Sequence, residues 1–145
     1  MSAYADTSFL ARIYTLHADS HRATALMQRL REPLPFTPFH RHELRNGIRL
    51  RVFRGEMTVE QRKAAFADID SDLAEDILAH TPIPWTDTFR HAEDLAVMYT
   101  ETLGVCSFDL LHVALARVLG ANEFFTFDTR QAALAQAAGL KVKPH

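Results

Sequence analysis

Apolar residues recur along this chain every three or four positions over long stretches, and short apolar runs separate those stretches. That alternation predicts helices joined by brief strands. Residues 3–8 predict a first strand that ends on Asp6, Thr7 and Ser8, with Thr7 or Ser8 capping a helix through Leu10, Ile13 and Tyr14. A second helix from about Asp19 and Ser20 carries Ala23, Leu26, Met27 and Leu30 on one face. The prolines from Pro33 to Pro38 admit only a short extended run. Residues 39–54 predict a helix buried along Leu44, Ile48 and Val52 and ended by Gly55. Thr58 and Gln61 open another, which runs to about Leu78 along Ala65, Ile69, Leu73 and Ile77; its acids (Asp68, Asp70, Asp72, Glu75 and Asp76) form a solvated face. Residues 81–85 predict a third extended piece, and Thr86, Asp87 and Thr88 cap a helix that Gly104 closes.

The last forty residues are the most regular. Ser107 is a good N-cap, and Phe108, Leu111, Leu115 and Val118 follow at helical spacing up to Gly120. Residues 123–127 have the aromatic look of a buried strand; a helix over 130–138, a stop at Gly139 and a strand over 140–142 complete the chain. Short strands alternating with helices predict an α/β fold with a parallel sheet covered on both faces. At 145 residues the chain has the length of a single domain, 1–145, able to bury roughly two-thirds of its unfolded surface.

Composition narrows the class. A hydrophobic share of 48% and a charged share of 23% are those of an ordinary globular protein, and the net charge of −2 gives no global basic signature. The cations are unevenly chosen, since only Lys63, Lys141 and Lys143 are lysines and five arginines fall between Arg41 and Arg54. Arg41, Arg45 and Arg49 lie four apart and share one helix face. Such a row is either a phosphate track for RNA or a solvated face that meets an acidic partner. A single cysteine excludes an internal disulfide. The opening residues lack a signal-peptide pattern and no apolar run reaches membrane length, so a cytoplasmic location is expected.

Four acids stand at chemically telling positions. Asp6 and Asp128 end predicted strands, while Glu43 and Asp109 lie in the early turns of predicted helices. Ligands of open α/β sheets bind at the carboxyl ends of the strands. Carboxylates grouped without histidine or cysteine suit a hard cation with oxygen ligands, Mg²⁺ or Mn²⁺, which would also relieve their mutual repulsion. Each acid has a plainer role as well. Asp6 and Asp128 can cap helices, Asp109 can complement a helix dipole, and Glu43 can be an exposed helix acid.

The motifs Tyr4-Ala5-Asp6-Thr7-Ser8, Glu43 in an Arg-rich helix, Phe108-Asp109-Leu110-Leu111-His112 and Thr126-Phe127-Asp128 occur in the order found in a known family. Over essentially its whole length the chain resembles the PIN-domain nucleases, most of all the VapC-type toxins of toxin–antitoxin pairs. The resemblance implies a three-layer α/β/α fold with four or five short parallel strands in the order 3-2-1-4-5. It implies a Mg²⁺- or Mn²⁺-dependent endoribonuclease with Asp6, Glu43, Asp109 and Asp128 as the acidic set. Asp6 and Asp109 would then bind the metal most directly, and Glu43 and Asp128 through water or by positioning the attacking water. Ser8 and Thr126 would hydrogen-bond the acids or a bound water, a role no more favoured than that of simple caps. A cognate antitoxin and a homodimer are implied as partners. The alternative is a non-catalytic module of the same fold that binds RNA or protein.

Other residues point elsewhere and carry less. The eight histidines include His17 and His21 four apart, and His40 and His42 two apart, and neither pair sits on one helix face as a zinc site requires. His112, one turn after Asp109 on an apolar helix, is expected to be a packed structural residue, and Cys106 a small buried hydrophobe. Trp85, Phe89 and Tyr99 are expected in core or subunit packing rather than stacked on bases. A phosphoacceptor receiver would need a paired acid near the first strand and a lysine at a late strand end. A haloacid-dehalogenase-type phosphatase would need a second aspartate at the position of Ser8. Both are disfavoured.

Overall fold

The computed structural model describes residues 2–144. Its strands are only three residues long, and they pair as two parallel ladders, β1-β4-β5 and β2-β3, both contained in the expected order 3-2-1-4-5. The chain folds as two compact units.

One unit joins the opening segment through Asp6 to the residues from Pro82 onward. Here β1 (Ala3–Ala5), β4 (Glu123–Phe125) and β5 (Lys141–Lys143) align so that Tyr4, Phe124 and Val142 are neighbours across the ladder. Parallel neighbours need long crossovers. The crossovers here are α5 (Trp85–Leu95), its π-helical continuation Ala96–Thr100, the short turn α6 (Glu101–Leu103), α7 (Ser107–Val118) and α8 (Thr129–Ala137). Tyr4, Val113, Ala114, Leu115, Phe124, Leu134 and Val142 form the buried core, with the rings of Tyr4 and Phe124 stacked at 5.5 Å. The Tyr4 hydroxyl meets His112 Nδ1 at 2.7 Å, so this histidine is packed and hydrogen-bonded as expected.

The other unit is Thr7–Thr81. It contains α1 (Thr7–Tyr14), α2 (Ser20–Arg29), β2 (Leu34–Phe36), α3 (Pro38–Phe53), α4 (Val59–Ala74) and β3 (Leu78–His80). Leu34 pairs with Leu78 and Phe36 with His80. Phe9, Leu10, Phe36, Leu44, Ile48 and Ile69 are buried. Both long helices start on reciprocal caps. At α3, Thr37 Oγ1 accepts from the His40 N–H and His40 Nδ1 from the Thr37 N–H. At α4, Thr58 and Gln61 do the same at 3.1 and 2.9 Å. Each such cap is worth about 1 kcal/mol.

Several local expectations are corrected. The third strand is 78–80 rather than 81–85, because α4 ends at Ala74 and Asp76 turns the chain with φ 58°. Ile77 thereby leaves the helical stripe and is exposed. Asp72 is not on the solvated face, since it accepts from the Tyr14 hydroxyl at 2.5 Å. Burial, and then that bond, push the Tyr14 phenol well above its ordinary pKa. Thr7 and Ser8 lie inside the first turn of α1 rather than capping it, and Thr86 to Thr88 lie inside α5 behind Pro84. Cys106, not Ser107, is the N-cap of α7, and it is exposed rather than buried. Tyr99 packs against the core, whereas Trp85 and Phe89 stack on each other at 5.6 Å with half of each exposed. No helix among the described residues is long and apolar enough to cross a membrane.

Candidate active site

Asp6 is the residue immediately after β1, and its backbone N–H extends the ladder by donating to the Phe125 carbonyl at 3.0 Å. Its side chain is 3% exposed. Burying an ionised carboxylate is costly unless hydrogen bonds or a counter-charge replace water. Thr126, just past β4, supplies such a bond, its hydroxyl donating to Asp6 Oδ2 at 2.5 Å, a length typical of a hydroxyl on a charged oxygen. The same Thr126 oxygen accepts from the Asp128 N–H at 3.0 Å. One buried hydroxyl therefore ties the acid after β1 to the loop after β4. Because the two strands are parallel, both ends lie at the carboxyl edge of the ladder, where α/β sheets bind ligands.

The other two acids of this unit occupy helix starts. Asp128 is exposed and caps α8, its Oδ1 accepting from the N–H groups of Arg130 and Gln131 at 2.9 and 3.1 Å. Asp109 is half-buried in the first turn of α7, and its Oδ2 accepts from the Cys106 N–H at 3.4 Å. The plainer roles read from sequence for these two, helix cap and dipole complement, are thus filled. Serving a cap engages one carboxylate oxygen, so a cap does not exclude a second role.

Glu43 belongs to the other unit. It is half-buried on α3, and its Oε1 accepts a short hydrogen bond from the Thr7 hydroxyl of α1. Thr7, expected as a helix cap, is instead the donor that anchors Glu43. Its one available signal was position, directly after Asp6. Ser8, next along α1, presents its backbone carbonyl to Arg12 at 3.3 Å.

Among the described residues no group of three or more His, Cys, Asp or Glu side chains is gathered closely enough to hold a metal ion. The acids stand as separately anchored donors. In kind they fit a hard divalent cation, since every donor is an oxygen and Asp6 is a buried carboxylate whose charge a cation would offset.

Arg41, Arg45 and Arg49 share one face of α3 as the spacing predicts, and with Pro38, His42 and Asn46 they line an open groove of 370 Å³. On a helix Glu43 lies about 200° around the axis from both Arg41 and Arg45. The arginine row and the glutamate therefore occupy different faces of α3.

A family model, the PIN domain, matches residues 3–137. Among curated proteins none matches the sequence. Solved structures share the fold at low identity. VapC20 of Mycobacterium tuberculosis, described as a sarcin–ricin loop cleaving toxin, is 21% identical with a TM-score of 0.70, over 99% of this chain and 100% of that one. VapBC2 of Rickettsia felis, bound to a DNA fragment from their promoter, is 16% identical with a TM-score of 0.69, over 99% and 98%. FitAcB of Neisseria gonorrhoeae is 17% identical with a TM-score of 0.67, over 98% and 96%. With the family model spanning nearly the whole chain, this protein belongs to the PIN domain family.

Proposed function

We propose that this chain is a Mg²⁺- or Mn²⁺-dependent endoribonuclease, acting as the toxin of a type II toxin–antitoxin pair in the cytoplasm. The observation that carries the reading is the buried Asp6 carboxylate, held by Thr126 at the carboxyl edge of a parallel ladder in a PIN-domain chain. The fold shared with VapC20, described as a sarcin–ricin loop cleaving toxin, supports the reading. A small antitoxin that covers the acids, and a homodimer of the toxin, belong to the same reading.

Asp6 and Asp109 are the residues we assign to direct cation binding, with Glu43 and Asp128 acting through water. The cation would neutralise phosphate charge and lower the pKa of the attacking water. The protein's own contribution is positional. Thr126 hydrogen-bonds Asp6, Thr7 hydrogen-bonds Glu43, and the Cys106 N–H at the start of α7 hydrogen-bonds Asp109. Ser8 remains a candidate to hydrogen-bond the acids. A carboxylate of this set takes a proton from water as its oxygen attacks phosphorus in line. The P–O3′ bond breaks, the departing 3′ oxygen takes a proton from solvent water to become a hydroxyl, and the new fragment starts with a 5′-phosphate.

The test is cleavage of total RNA by the purified chain with Mg²⁺, with Mn²⁺ and with EDTA, beside Asp109→Asn. Discrete products bearing 5′-phosphates, lost with EDTA and reduced at least a hundredfold in the variant, are expected. RNA that is bound but never cut by folded, antitoxin-free protein would instead assign the chain to the non-catalytic class. Cyclic-phosphate ends would overturn the hydrolytic route.

A further inference from the structure

The arginine groove on α3 is built as well as charged. Phe66 of α4 lies half-buried under it, with its ring centroid 4.1 Å from the Arg45 Cζ, 5.1 Å from that of Arg49 and 5.8 Å from that of Arg62. A ring engages the face of a guanidinium and leaves the donors on its edge to bind an anion, while it restricts a flexible side chain. Among the described residues none of Arg41, Arg45 and Arg49 is paired with a carboxylate. Burial and the like charges of Arg41 and Arg49 hold the Arg45 pKa below the ordinary arginine value, with Asp70 alone opposing them. An anion in the groove would relieve that crowding.

Residues four apart on a helix rise about 6 Å per step. The three arginines therefore leave the helix at near-equal intervals along its axis, close to the spacing of successive phosphates along one nucleic-acid strand. His42 and Asn46 add neutral polar groups between them, suited to sugars or base edges. Glu43 faces another side of the same helix, so the groove and Glu43 lie on different faces of α3.

We infer that the groove of Arg41, Arg45 and Arg49, seated on Phe66, is an exosite that grips the phosphate backbone of an RNA strand on a face of α3 that Glu43 does not share. This rests on the endoribonuclease reading for its partner, and Phe66 is its positioning residue. The exosite adds affinity for long RNA and leaves the chemical step alone.

The experiment measures binding of a fluorescein-labelled 20-nucleotide single-stranded RNA in EDTA at several salt concentrations. It compares the unaltered chain, the triple variant R41Q/R45Q/R49Q, Phe66→Ala and Phe66→Tyr, each checked for native circular dichroism. The triple variant is expected to lose at least tenfold in affinity and to flatten the log–log salt slope by about 2, three cations at roughly 0.7 each on single strands. Phe66→Ala should lose about two- to fivefold, the size of an exposed cation–π contact, and Phe66→Tyr should restore it. In the cleavage assay the triple variant should raise KM for long RNA with kcat unchanged, and should leave cleavage of very short fragments untouched. An unaltered affinity and salt slope in the triple variant overturns the exosite. Tighter binding of polyglutamate than of RNA, lost in the triple variant, overturns it in favour of an acidic protein partner. Binding in EDTA does not depend on cleavage, so loss of the nuclease reading and loss of the exosite register separately.

Discussion

Thr126 is the residue on which the acid side of the site turns. Its hydroxyl donates to Asp6 and accepts from the Asp128 backbone, so it ties the residue after β1 to the loop after β4 across the β1-β4 ladder. Thr126→Val keeps the shape and removes both bonds, leaving a buried carboxylate without this donor. We expect a loss of about 1–3 kcal/mol in urea unfolding, together with a fall in kcat at saturating RNA. Unchanged unfolding would show that the bond does not hold Asp6. The residue scale is also where sequence was least informative. Asp6, Asp109 and Asp128 were legible as acids at strand ends and helix starts, because caps and dipoles act within a few residues. The resemblance offered Thr126 as a partner of the acids, but that Asp6 is the acid it bonds was not legible, because 120 residues separate them. Thr7 was misassigned for the same reason, its partner Glu43 lying 36 positions away on another helix.

Elements meet at a titratable joint between α1, α2 and α3. His17, in the connection after α1, has Thr15 Oγ1 at 2.9 Å and an Arg51 nitrogen at 3.3 Å on the same Nε2. Arg12 of α1 pairs with Asp19 at the start of α2 at 3.2 Å. Burial, then Arg12 and Arg51, lower the His17 pKa, with Asp19 and Glu56 opposing. A histidine whose pKa is lowered by folding binds a proton more readily in the unfolded chain. Its contribution is therefore present above the ordinary value of about 6.5 and is lost as pH falls below it. Stability should be lower at pH 5.5 than at pH 7.5, and His17→Gln should reduce that difference. An equal pH dependence in the variant would place the effect elsewhere. Helix positions were largely legible at this scale, since apolar periodicity and caps such as Thr58 with Gln61 are local. The third strand was not, because three residues have too little sequence to outweigh a helical pattern that continues to Ile77, and pairing with β2 decides it.

At the scale of the whole molecule, the proposed cation makes a prediction independent of turnover. A ligand that binds only the folded state stabilises it by about 2.7 kcal/mol at a hundred times its dissociation constant. Millimolar Mn²⁺ should therefore raise Tm by several degrees over EDTA, and Asp6→Asn and Asp109→Asn should each abolish the shift. Equal shifts in all three proteins would mean that the ion binds elsewhere.

The sequence by itself determined the class of fold, the long helices and their caps, the acids at chain positions suited to a hard cation, and the spacing of the arginine row. These follow from periods and end signals that a short window contains. Tertiary structure alone decided that Thr126 holds Asp6, that Thr7 holds Glu43, that Tyr4 meets His112 and that Phe66 lies under Arg45. Each of those contacts joins segments far apart in the chain or on separate helices. Which side chains meet there depends on strand register and helix packing, which no local pattern specifies.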